Sequence, residues 1–244
     1  MSIPKVIHYC WFGGKELPRS AQKCIRSWKK YCPDYEIICW NEQNFDFSGN
    51  RYAREAYEAK KWAFVSDYVR LKVIYDHGGI YMDTDVELVK PLDDLLEAEG
   101  YMGYDGSNNV STGLGFGMVR EHPIMKALLE DYQDIPFRLP DGTFDTTPCP
   151  DRNIQTLVRL GLEQGKPYQE LMGVRFYPPD YFAPMDFYTG KIRRTKNTYT
   201  IHHNTASWLT PRAKRTTRLK RIIGVRAYNF LYAKFLHRFK SWEW

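Results

Sequence analysis

The opening run from Lys5 to Phe12 is apolar and is closed by Gly13 and Gly14, which predicts a buried strand ending in a tight loop. Residues 20–31 read as a helix, with Ser20 as the expected N-cap and Lys29 and Lys30 in the last turn. Residues 35–40 form a second strand after the Pro33-Asp34 turn. A helical pattern then runs from Arg51 to about Asp76 and stops at His77-Gly78-Gly79, where glycine suits a left-handed cap. Ile80 to Met82 is a short strand that delivers Asp83-Thr84-Asp85 at its C-terminal end. Further strands are expected at 101–104, 113–119, 174–177 and 198–202, and helices at 124–132 and 153–160. Strands alternate with helices, so the expected architecture is α/β with a mainly parallel sheet. In such sheets ligands sit outside the carboxyl ends of the strands, which is where Trp11, Asp83, Asp85 and His202 fall.

Two carboxylates at i and i+2, just past an apolar strand, can reach one hard cation if the chain leaves the extended form there. Oxygen ligands suit Mg²⁺ or Mn²⁺. These ions keep waters and bridge to substrate phosphates, so a nucleotide diphosphate is the natural further party. Alone, Asp-x-Asp is a weak signal, because carboxylate pairs at strand ends are common. Asp67 and Arg70 share one helix face. Spacing by itself favours an ordinary surface ion pair; the functional alternative is an arginine that meets phosphate or a sugar hydroxyl. Trp11 on its own reads as core. Residues 108–113 are polar and turn-rich, and read equally as a plain loop or as part of an acceptor pocket.

The run from Ala63 to Val86, the opening Ile3 to Gly14 and the late Ile201 to Trp208 together resemble the Asp-x-Asp sugar-binding-region glycosyltransferases. That group includes yeast mannosyltransferases, bacterial capsular polysaccharide and lipopolysaccharide transferases and, distantly, the clostridial glucosylating toxins. The resemblance implies a GT-A fold (Rossmann-like), a nucleotide-sugar donor, UDP-sugar before GDP-sugar, and a divalent ion, Mn²⁺ or Mg²⁺. By position it puts Trp11 on the nucleotide base, and Ser66, Asp67 and Arg70 on the donor sugar and its phosphate. Tyr81 would touch nucleoside or sugar, Asp83 ribose or sugar, and Asp85 the metal, with Asp83 also in the ligand set. Trp208 would close over the diphosphate. His202 or His203 would lie near the metal; the two face opposite ways on a strand, and His202 is favoured. Asp67, Arg70, Asp83 and Asp85 would carry the catalysis, with Asn109 and Asp151 as weaker acceptor-side candidates. Retention at the anomeric carbon is also implied, and with no obvious nucleophile in this set a front-face route is expected.

Composition refines this picture. The chain has 244 residues and a formal charge of +6, but residues 211–244 carry ten bases and one acid, leaving residues 1–210 slightly acidic. That split argues against a nucleic-acid binder and divides the chain into a catalytic unit, 1–210, and a basic tail, 211–244. In the tail, Tyr228, Leu231, Tyr232, Phe235, Leu236 and Phe239 fall on one helical face. Bases around an aromatic stripe suit an anionic membrane surface, with packing back on the body as the alternative. Five cysteines without a Cys-x-x-Cys pair read as reduced thiols. No apolar run reaches the ~18 residues of a membrane span. The N-terminus lacks signal-peptide character, so a cytoplasmic, membrane-peripheral enzyme is expected. Its acceptor would be a glycan or lipid-linked glycan in surface polysaccharide synthesis. A toxin-like transfer to protein, or a non-enzymatic lipid or nucleic-acid binder working through the tail, are the alternatives. A dehalogenase-type phosphatase is disfavoured because Glu87 stands where that motif wants Thr or Val.

Overall fold

The computed structural model describes residues 2–205, 211–225 and 227–230. In chain order the elements are β1 (Val6–Cys10), α1 (Arg19–Tyr31), β2 (Glu36–Trp40), α2 (Arg51–Glu58), α3 (Trp62–His77), β3 (Gly79–Tyr81), β4 (Val86–Leu88), β5 (Gly100–Tyr104) and β6 (Val110–Ser111). They continue with β7 (Phe116–Met118), α4 (Pro123–Glu130), α5 (Cys149–Arg159), β8 (Gln169–Leu171), β9 (Val174–Tyr177), the single turn α6 (Pro179–Phe182), β10 (Thr200–His202) and α7 (Pro211–Ile223).

The main sheet has the order β2-β1-β3-β7-β5-β9-β8, with β6 paired to β5. It is mixed, which corrects the expectation of a mainly parallel sheet. β1 pairs in parallel with β2 and β3, and β5 with β9, whereas β7 runs antiparallel to both β3 and β5. A parallel crossover needs roughly a dozen residues or more. The short links around β6 and β7 do not supply them, so the chain turns back on itself there. Because β7 reverses direction relative to both neighbours, β1, β3, β5 and β9 still point the same way, and their carboxyl ends share one edge. β8 and β9 form a hairpin on Met172 and Gly173, both at positive φ (53° and 78°), as a primed two-residue turn requires. The late strand β10 leaves the main sheet altogether and pairs antiparallel with β4, setting His202 opposite Val86.

Two cores flank the sheet. One gathers α3 with Tyr52, Phe116, Leu128 and Phe137, and the other gathers Trp28 of α1 with Ile7, Ile80, Val86 and Tyr199. Alternation along β3 sends Tyr81 to the first and Ile80 to the second. α1 buries Ala21, Cys24 and Trp28 on one stripe, and its Trp28 indole donates to the Val86 carbonyl at 2.8 Å, fixing the strand that follows Asp85. Pro18, not Ser20, holds the N-cap position of α1. The helix expected over 51–76 is two. Lys60 takes φ +56°, and the Lys61 and Lys60 amides bond back to the Ala56 and Tyr57 carbonyls, a Schellman closure built on lysine instead of glycine. Gly78 (φ +67°) and Gly79 (φ +101°) do meet the glycine requirement. A side chain at Gly79 would stand 2.8 Å from the Val6 carbonyl, so the turn into β3 can pass close to β1.

Candidate active site

α3 buries nine of its sixteen residues, Asp67 and Arg70 among them at 8% and 5% exposed. Such burial is tolerated only when the charges are paired and hydrogen-bonded. Arg70 Nη2 lies 3.0 Å from Asp67 Oδ1 and 3.3 Å from Asp83 Oδ1, and Nε donates to the Ser66 carbonyl at 3.0 Å. Its Nη1 points at Cys149 Sγ at 3.8 Å, and its guanidinium lies 5.1 Å from the Tyr81 ring centre. The surface ion pair that spacing favoured is therefore a buried one, bridging α3 to the end of β3.

Asp83 leaves β3 through a turn in which its carbonyl accepts the Val86 N–H at 3.0 Å. That turn shortens the extended spacing between i and i+2 and brings the Asp83 and Asp85 carboxylates to one place. Asp85 Oδ1 lies 3.2 Å from His202 Nε2, and Oδ2 accepts both the N–H and the hydroxyl of Thr205 at 2.8 Å. One ligand atom from each of Asp83, Asp85 and His202 lies within 4.8 Å of the others. Two carboxylates and an imidazole are a donor set that a hard divalent cation accepts, so these residues fit such an ion. His203 turns the other way, its Nε2 2.8 Å from Glu87 Oε2, while its N–H donates to the Asp85 carbonyl.

The electrostatics follow from burial and neighbours. Burial pushes the Asp83 and Asp67 carboxyls up, against the pull of Arg70. Burial also opposes the charge on Asp85, but His202 and the two Thr205 donors outweigh it and hold that carboxyl well below the usual range. Burial pulls His202 down, and Asp85 and Asp83 more than reverse it. Arg70 stays charged throughout, its guanidinium raised by the carboxylates against the cost of burial.

The remaining candidates lie as follows. Tyr81 is fully buried and donates its hydroxyl to Asp83 Oδ1 at 3.1 Å, so its side chain supports Asp83 from below. Ser66 bonds back to the Trp62 carbonyl within its helix. Trp11, just beyond β1, is half-buried against the second core and donates its indole N–H to the Lys15 carbonyl. Asn109 and Asp151, far apart in sequence, meet at 2.8 Å. Trp208 lies outside the described residues. Three residues of the site had no role of their own in the sequence: Thr205 on Asp85, Cys149 beside Arg70, and Gly113, read there only as the end of the 108–113 segment, whose carbonyl accepts the Asp83 N–H at 3.3 Å. Thr205 lay inside the late motif and could have been flagged there; no spacing rule marks the other two.

Residues 18–101, which hold Asp67, Arg70, Asp83 and Asp85, match the family model of the glycosyltransferase sugar-binding region containing a DXD motif. The fold is the GT-A fold of glycosyltransferases: the PaToxG glycosyltransferase superposes with a TM-score of 0.50 at 21% identity, over 65% of this chain and 70% of that one. Among curated proteins, inositol phosphoceramide mannosyltransferase 3 of Schizosaccharomyces pombe is 27% identical over 128 residues, 51% of this chain and 35% of its own length. Human alpha-1,4-N-acetylglucosaminyltransferase is 34% identical over 74 residues, 30% of this chain and 20% of its own. The matched segments span about a third of the length of the yeast mannosyltransferases. The resemblance carried by the three motifs is thus supported by fold and by sequence.

Proposed function

We propose that the chain is a metal-dependent, retaining glycosyltransferase that moves a sugar from a nucleotide-sugar donor, UDP-linked before GDP-linked, to a glycan or lipid-linked acceptor in surface polysaccharide synthesis. The observation that carries the reading is the sharing of Asp83 between two sets: it pairs with buried Arg70 and belongs to the Asp83, Asp85 and His202 cluster. Asp83, Asp85 and His202 would hold Mn²⁺ or Mg²⁺, whose charge offsets the negative charge that develops on the departing diphosphate. Arg70, permanently charged and already oriented by Asp67 and Ser66, offers further positive charge to that diphosphate without reorganising. Asp67 and Asp83 accept hydrogen bonds from sugar hydroxyls, and Asn109 with Asp151 flank the acceptor. Trp11 stacks on the base, and Trp208 closes over the phosphates. Transfer proceeds on one face of the sugar: the bond from the anomeric carbon to the phosphate oxygen breaks, the acceptor oxygen bonds that carbon on the same face, and the acceptor hydroxyl gives its proton to the leaving phosphate.

The lipid in the names of the yeast relatives supports a lipid-linked acceptor. No helix among the described residues is long and apolar enough to cross a membrane, and the basic segment from residue 211 is proposed as a peripheral contact with anionic lipid, separate from the catalytic unit 1–210. The test is a screen of UDP- and GDP-sugars with Mn²⁺, scored for slow donor hydrolysis and for protection against thermal unfolding. Turnover of at least one donor, lost on chelation and in Asp85→Ala, is the expected result. Silence from every donor, or near-normal turnover by Asp85→Ala, overturns the reading.

A further inference from the structure

Asp83 and Arg70 meet beneath a glycine. Gly113 sits between β6 and β7, and a methyl group on its Cα would stand 2.3 Å from Asp83 Oδ2 and 3.2 Å from Arg70 Nη1. Gly113 is not among the glycines at positive φ, so its backbone would accept any residue and the requirement is one of space. The segment has little freedom to back away. Thr112 is fully buried, its hydroxyl 3.3 Å from Asn153 Nδ2 and 3.8 Å from Cys149 Sγ, and both partners belong to α5. On the other side the Asp83 amide is bonded to the Gly113 carbonyl. Backbone and helix thus fix the wall, and the group that yields first is the Asp83 carboxylate, the nearest to the methyl.

We propose that Gly113 is a positioning residue: its bare Cα leaves the volume in which the Asp83 carboxylate lies when it pairs with Arg70. Any side chain there turns that carboxylate out of the pair while leaving the fold in place, because the struck atom is the end of a rotatable side chain. The catalytic consequence rests on the proposed transferase reading; the steric relation does not.

A double-variant cycle on the full chain separates the two. Gly113→Ala is expected to stay folded, to lose about 3 °C or more in Tm, and to lose roughly tenfold or more in kcat/KM for whichever nucleotide sugar is turned over, about 1.4 kcal/mol of barrier. Placed on Asp83→Ala, where the 2.3 Å clash is gone and only the flexible end of Arg70 remains near the methyl, the same substitution is expected to cost little or no Tm. Gly106→Ala, in the preceding loop between β5 and β6 with nothing within 4 Å of the added methyl, is the control and should leave Tm in place. Equal Tm losses in both backgrounds, or none in either, overturn the proposal. If Gly113→Ala does not fold at all, recovery of folded protein by the added Asp83→Ala supports the proposal and non-recovery refutes it. A coupled cycle in a protein that turns over no donor would sink the transferase reading and leave Gly113 where it stands.

Discussion

His8 gives a view of how single side chains hold the site-bearing edge together. Trp40 can only donate, so its indole N–H fixes His8 Nδ1 as the acceptor at 3.1 Å, and the ring proton is left on Nε2, which donates to the Gly78 carbonyl at 3.0 Å. Burial pushes the imidazole down to about 4, with His77 adding to the effect against the help of the Gly78 carbonyl. The unfolded chain takes up this proton near pH 6.5 and the folded one only near 4, so between those values the unfolded state binds more protons. Stability is full above about 6.5 and falls as pH drops towards 4. Between pH 7 and pH 5 the loss from this residue is about 2 kcal/mol. Urea unfolding at both pH values should register it, and His8→Gln should remove that part of the slope; an unchanged slope would place the pH dependence elsewhere. His8 lay in the opening strand of the sequence with no sign of this role, because its partners come from β2 and the Gly78 turn, 32 and 70 residues away.

At the scale of elements, strands and helices were legible wherever one segment carried its own signal. The apolar run of β1, the Gly78-Gly79 stop and the Pro123 start of α4 fall in or beside their expected places. The errors arose where a partner decided. The direction of β7 depends on which strand it joins, and Lys60 adopts a conformation that its side chain does not advertise. Among site residues, Asp83 and Asp85 could be read as a pair from spacing, whereas the burial of Arg70 required knowing that the face of α3 carrying Asp67 and Arg70 is packed inward. The tail shows the same division. α7 is tethered to the body through Arg221, whose Nε and Nη2 donate to the Phe187 carbonyl at 3.2 and 3.0 Å, yet Ile222 and Phe230 remain 71% and 68% exposed. The stripe from Leu231 to Phe239 lies outside the described residues. If this segment meets lipid, full-length protein should float with phosphatidylglycerol vesicles, more weakly as salt rises, and a chain ending at residue 210 should stay behind. Equal flotation of the two forms removes the membrane contact.

For the molecule as a whole, the shared edge of β1, β3, β5 and β9 explains why residues from distant stretches converge. The sheet supplies Asp83, α3 supplies Arg70 and Asp67, and α5 supplies Cys149. The remaining member of the cluster arrives from outside that plan. His202 is carried by β10, which pairs with β4 across more than a hundred residues and is no part of the main sheet. Closing so long a loop costs entropy that local pairs do not incur, and contacts of this kind form late in folding. The cluster of Asp83, Asp85 and His202 is therefore expected to assemble after the sheet is in place. Pulsed hydrogen exchange during refolding should find the Val89 amide, bonded to the Tyr199 carbonyl, and the His203 amide, bonded to Asp85, protected after those of β1 and α3. Simultaneous protection would mean that the ribbon folds with the sheet. A growing chain would thus pass through a stage in which the sheet is formed but the Asp83, Asp85 and His202 cluster is open, and it stays open until residues 200–202 have been made.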